Sequence, residues 1–207
     1  MRRILGAMAS GNTTRPTLLQ RVRDPEDAEA WREFDERYRL LILRYCQRRG
    51  LQAADAEDVR QLVMMSMAQS LRGFRYAPER GRFRAYLGQT VRNAIPRLQG
   101  AARHISHNAG DVELAATDAG DVDAVWEREW VQHHFRRAMH AAAASFEPQS
   151  IEVFEHLRAG ESPAEVARGF GLTVSAVYKI RTRIRDHLRG TIAAQVREEE
   201  AHAAPTG

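Results

Sequence analysis

The chain has one cysteine, Cys46, among 207 residues, so no disulfide framework can form and a reducing compartment, the cytoplasm, is the natural setting. Cys46 lies in an apolar helical stretch and reads as a buried structural thiol. Long apolar runs are missing: the N-terminal run ILGAMA spans only six residues, short of a signal peptide and far short of a membrane span. With 14 glycines and 7 prolines the chain is neither fibrous nor disordered. No stretch alternates convincingly enough for a sheet. No HExxH and no cysteine pair accompanies His104, His107, His133, His134 and His140, so a metal-dependent hydrolase lacks its ligand pattern and these histidines read as surface or linker residues. No metal or cofactor is expected.

What is present is an ordinary globular composition, 43% apolar and 28% charged, with a net charge of +4 that is sorted along the chain. Residues 24–58 hold ten acids against six arginines, and 111–129 hold seven acids against Arg128. Between them, residues 72–103 hold eight arginines against Glu79, and 168–189 hold six bases against Asp186. Lys179 is the only lysine. Arginine, whose planar fork suits phosphate and base edges, therefore carries nearly all the positive charge.

Apolar spacing throughout is helical, which predicts an all-α fold of two small domains joined by an acidic linker. Residues 1–23 have no apolar period and read as a flexible leader. Residues 24–99 form a first helical domain: Asp24 caps a helix with Pro25 at its first position, Asp55–Leu71 is a second helix with Val59, Leu62, Val63, Ser66 and Ser70 in phase, and 82–98 is a third, which Pro96 should kink or end. Residues 100–125 read as the linker, 126–190 as a second domain, and 191–207 as a polar tail.

The second domain contains a well-punctuated pair of helices. Ser162, Pro163 and Glu165 give a capping box with proline at the first helical position, Gly171 makes the turn, and Thr173 caps the next helix. Val177, Ile180, Ile184 and Leu188 form its core stripe. This is helix-turn-helix spacing, and the opposite face of the second helix carries Ser175, Tyr178, Lys179, Thr182 and Arg183 with Arg181 at the flank, a set suited to a DNA major groove.

The second half resembles region 4 of the sigma-70 family of sigma factors, of the smaller extracytoplasmic-function type. The first half resembles region 2: residues 55–61 read DAEDVRQ, and 74–93 read FRYAPERGRFRAYLGQTVRN. The resemblance covers residues 25–99 and 126–190 in the family's order. It implies that Asp55, Glu57, Asp58 and Gln61 bind core RNA polymerase. It also implies that Tyr76, Arg80, Arg82, Arg84, Tyr86, Arg92 and Asn93 hold the melted minus-ten strand, while the second domain reads the duplex minus-thirty-five element. Aromatics stack on extruded bases and arginines track the backbone, which agrees with that role; Phe83 and Leu87 read as packing. The chain departs from the family at Pro96 and at Met64, Met65 and Met67, which replace an aromatic-containing run. The implied protein is no enzyme; its partners are core polymerase and promoter DNA, an anti-sigma protein enters by family analogy alone, and no membrane insertion is expected. The alternative is an activator or repressor that uses the helix-turn-helix without being a polymerase subunit.

Overall fold

A computed structural model describes residues 17–71, 83–105 and 119–200. These form eight helices: α1 (Leu18–Arg21), α2 (Ala28–Arg48), α3 (Ala53–Leu71), α4 (Phe83–Ile105), α5 (Ala119–Ala143), α6 (Pro148–Arg158), α7 (Pro163–Gly169) and α8 (Val174–Glu200). The fold is all-α, with no strand among the described residues.

The first core is built on α2, whose Phe34, Tyr38, Leu41, Ile42 and Tyr45 are fully buried. The helix starts one turn later than its sequence suggests. Asp24 accepts from the Glu26 N–H at 2.9 Å and so closes a local turn, while Asp27 caps the helix by accepting from the Ala30 N–H at 2.8 Å. Gly50, at φ +84°, ends the following turn. On α3 the buried face is Ala56, Val59, Val63, Met67 and Leu71 rather than the expected Ser66 and Ser70, so Met67 fills the core and Met65 is left 60% exposed. Methionine's unbranched chain suits that gap.

Two segments expected to be loose are folded. Part of the leader forms α1, whose Leu18 and Leu19, with Val22, are buried, and Arg21 ties it down through Asp27 and Glu33, each at 3.1 Å. Four residues are too few to show a helical period. At the other end α8 continues through residue 200, past the expected tail boundary at 191.

Pro96 neither ends α4 nor stops it short of Ile105. It lies on the exposed face, where water can serve the Arg92 carbonyl that loses its donor. Residues 100–105 therefore lie in α4 and 119–125 in α5; of the expected linker only 106–118 falls outside the described residues.

Helix α5 enters two cores. Its first half inserts Trp126 and Trp130 among Tyr38, Tyr45 and Phe83, with Trp126 edge-on to Tyr45 at 5.3 Å between centroids. Its second half packs Ala138 and Ala142 against Ile184 and Leu188 of α8. A third cluster, Val153, Val166, Ala167 and Val177, holds α6, α7 and α8 together. The boundary read at residue 126 is thus not a gap between cores, because a tryptophan bulky enough to stand out as a domain start seats in the preceding core.

The end of α8 closes back on the first core. Tyr38 donates its hydroxyl to Glu199 at 2.8 Å in a buried contact, Arg37 pairs with Glu198 at 3.0 Å, and His134 Nδ1 lies 2.9 Å from Gln195 Oε1. Buried polar pairs of this kind fix geometry more than they add stability. Together α5 and α8 make the join between the cores helical on both strands of the connection.

Candidate nucleic-acid interface

Two exposed faces carry the residues singled out by sequence. The first lies on α8. Val177 and Ile184 are fully buried, which turns Ser175, Lys179 and Thr182 outward, and Tyr178 is 47% exposed beside them. None of these four has a side-chain partner among the described residues. Arg181 and Arg183 are also exposed, and the Arg183 guanidinium stands over the Phe146 ring at 5.6 Å, so it braces α8 as well as facing solvent.

The turn that presents this face is tightly specified. Ser162 Oγ accepts from the Glu165 N–H at 3.3 Å while the Glu165 carboxylate accepts from the Ser162 N–H at 3.0 Å. The Ser162 hydroxyl, which donates to the Glu165 carboxylate at 2.6 Å, and then the Ser162 N–H hold the Glu165 pKa below the usual carboxylate value. Gly171 takes φ +66°, and the Leu172 N–H reaches the Ala167 carbonyl at 2.8 Å, the long bond of a glycine-terminated helix end. Thr173 Oγ1 then accepts from the Ala176 N–H at 3.2 Å at the head of α8.

The second face lies on α4. Burial of Phe83, Leu87, Val91, Ala94 and Ile95 leaves Gln89 and Asn93 exposed and Arg84 and Arg92 half-buried. The two arginines are engaged within the chain: Arg84 pairs with Glu127 at 2.8 Å and Arg92 with Asp123 at 3.1 Å, both carboxylates on α5. Arg92 also donates to Gln89 at 3.0 Å, and Gln89 to Asn93 at 2.8 Å. Tyr86 is half-buried against the first core and donates its hydroxyl to Ser70. Tyr76, Arg80 and Arg82 lie outside the described residues.

Of the four residues at the head of α3, Asp55, Asp58 and Gln61 are exposed, and Asp58 and Gln61 fall on one side of the helix with Met65. Glu57 differs. It is held by Arg60 at 2.6 Å and by Arg39, and Arg60 bonds Asp35 at 2.6 Å, so a chain of ion pairs joins α2 to α3. Arg60 first and then Arg39 hold the Glu57 pKa below its usual value. No sequence signal separated this carboxylate from its exposed neighbours, because its partner Arg39 is 18 residues away and on another helix.

The histidines turn out differently from a surface set. His133 and His134 are buried, 3% exposed each, while His140 is exposed, and the side chains of His104 and His107 lie outside the described residues. No group able to hold a metal ion occurs among the described residues. Burial, and then the neighbouring His134, Arg137, Arg136 and Arg37, push the His133 pKa from 6.5 down to about 3, with the Tyr38 ring stacked on it at 5.6 Å. The unfolded chain therefore takes up a proton below its ordinary pKa that the folded chain refuses. Stability on this account is flat above neutrality and declines as the pH falls from 6.5 towards about 3. At about pH 5 the loss is about 2 kcal/mol. Urea unfolding midpoints at neutral and mildly acid pH check this, and His133→Gln should remove most of the difference; an unchanged slope in that variant would assign it elsewhere.

The described residues thus define an all-α fold with a basic, outward face on α8 and, on α4, a polar face whose Arg84 and Arg92 are paired with carboxylates of α5. Residues 34–104, from within α2 to the end of α4, match the family model Sigma-70 region 2. That match supports a relationship with the sigma-70 family over the part of the chain that carries α3 and the arginine face of α4. Neither a curated protein nor a solved structure matches the chain. No helix among the described residues is long and apolar enough to cross a membrane.

Proposed function

We propose that this chain is a sigma factor of the extracytoplasmic-function type, a dissociable and non-catalytic subunit that docks on core RNA polymerase in the cytoplasm and directs promoter recognition and DNA melting. The observation that carries the reading is the region 2 match over α2 to α4, where Asp55, Asp58 and Gln61 are exposed on α3, and Gln89 and Asn93 are exposed on α4 beside the ion-paired Arg84 and Arg92.

In this reading, Asp55, Asp58 and Gln61 offer acceptors to a basic surface of the polymerase, and Glu57 orients α3 against α2 rather than touching the partner. The face of α4, with Tyr76, Arg80 and Arg82 before it, takes the melted minus-ten strand. Unstacking costs a few kcal/mol per step, and capture of each base on an aromatic ring returns about 1–3 kcal/mol. Helices α7 and α8 act as a helix-turn-helix that reads the duplex minus-thirty-five element through Ser175, Tyr178, Lys179, Thr182, Arg181 and Arg183. An anti-sigma protein that covers these faces belongs to the same reading.

Asp58→Ala tests it. Asp58 is exposed, so the substitution should leave the unfolding midpoint unchanged while weakening assembly with purified core polymerase about tenfold, the worth of one good charged interaction. Duplex DNA binding by α8 should be unaffected. Equal assembly by the variant and the parent would remove α3 from the contact.

A further inference from the structure

Among the described residues five large apolar side chains are exposed. Leu40, Met65 and Val131 stand singly on α2, α3 and α5, as scattered apolar residues do on any protein surface. Val174 and Tyr178 differ. They lie four residues apart on α8, so their side chains are neighbours on one flank, 42% and 47% exposed. Neither belongs to a core cluster, whereas Val177 is fully buried and turns the flank that holds them towards solvent. Helix propensity does not call for the pair either, because valine and tyrosine are both weaker helix formers than alanine.

Their place on the helix gives the pair a use. Val174 is the first residue of α8, directly after the Thr173 cap, and the Gly171 turn fixes the direction of that end. In a helix-turn-helix this end of the second helix meets the base edges. Arg181 and Arg185 continue the same flank, both exposed, and are placed for phosphates further along. The base edges of the major groove present donors and acceptors at every pair but one apolar group, the C5 methyl of thymine. A valine or a ring set against any other edge strips water from a polar group and returns no hydrogen bond. Against a methyl, both surfaces leave water favourably. Four residues of helix rise about 6 Å, which is about two base steps.

We propose that Val174 and Tyr178 are specificity-determining residues, which select two thymines of the duplex element, about two base steps apart, by their C5 methyl groups. This rests on the reading of α7 and α8 as a helix-turn-helix and adds to it the base that this chain prefers and the residues that prefer it. Val174 contributes only its two methyl groups; Tyr178 contributes the face of its ring.

The test selects bound duplexes from a random library with the full chain, alone and on core polymerase, and then replaces each thymine of the selected element by deoxyuridine. That exchange removes the methyl and keeps every hydrogen-bonding group and every charge. At two positions it should weaken binding about fourfold, the worth of one methyl taken out of water; at other thymines it should change nothing. Val174→Ser should bind the thymine and uracil duplexes alike at one of the two positions, and Tyr178→Ser at the other. Both side chains are exposed, so each variant should keep the parent's melting midpoint. Tyr178→Phe retains the ring and should retain the methyl preference; its loss there would assign the contact to the hydroxyl and overturn that half of the proposal. Selective duplex binding that is blind to the methyl at every thymine, or a preference that survives in both serine variants, would overturn the proposal while leaving the helix-turn-helix standing. Failure of every duplex to bind under both conditions would remove the helix-turn-helix reading, and the proposal with it.

Discussion

Gly88→Ala is expected to lower stability by about 1–3 kcal/mol and Trp126→Ala by about 3–5 kcal/mol. A Cβ at Gly88 would stand 2.6 Å from Trp126 Nε1 and 2.7 Å from its Cε2, closer than unbonded atoms sit. The indole cannot swing away cheaply. It packs edge-on to Tyr45, lies 6.0 Å from Trp130 between centroids, and donates Nε1–H to the Arg84 carbonyl at 3.2 Å. Glycine at this point of α4 is therefore a packing requirement, since alanine is otherwise the better helix former by about 1 kcal/mol. Trp126→Ala empties the same space and removes the indole N–H, the second donor to an Arg84 carbonyl already within the helical ladder of α4. For a chain of this size each kcal/mol shifts Tm by about 2–4 °C, so circular dichroism melts of the two variants should rank them clearly. If Gly88→Ala melted like the parent, α5 would not press on α4 as described, and the pairs Arg84–Glu127 and Arg92–Asp123 would lose their frame.

The second large effect is expected on DNA. Lys179→Ala combined with Arg183→Ala should weaken binding of an upstream promoter duplex by about 1–3 kcal/mol for each base edge no longer read, and should flatten the salt dependence by about one unit of slope for each phosphate no longer neutralised. Lys179 has no partner within the described residues, so its removal should not touch the fold. Arg183 also covers Phe146, and uncovering that ring should cost stability by about 0.5–1 kcal/mol. Lys179→Ala alone therefore separates recognition from packing. Unchanged affinity across a salt series in the double variant would mean that this face of α8 does not meet DNA.

The all-α class was legible from helical spacing alone. The caps of α7 and the Gly171 turn were too, because Ser162, Pro163, Glu165 and Gly171 act within one or two turns of themselves. What the sequence hid was long-range. Glu57 looks like Asp55 and Asp58 until Arg39 and Arg60 close on it. Gly88 looks like a weak point in α4 until Trp126 is set against it. The tail after residue 190 is polar enough to pass for a loose end, yet Gln195, Glu198 and Glu199 are the residues that lock α8 onto His134, Arg37 and Tyr38. Within the segment read as a linker, 100–125, α4 takes the residues up to Ile105 and α5 those from Ala119. His133 and His134, read as surface residues, are buried because the helices that enclose them are far apart in sequence.

The most direct test is the association of the purified full chain with purified core RNA polymerase, followed by mapping of transcript starts on a promoter library. A sigma factor should form a defined complex with core and direct starts that core alone does not make, with both properties reduced in Asp58→Ala. Specific duplex binding without polymerase, with no complex and no new starts, would contradict the assignment and mark the chain as a helix-turn-helix regulator acting on its own.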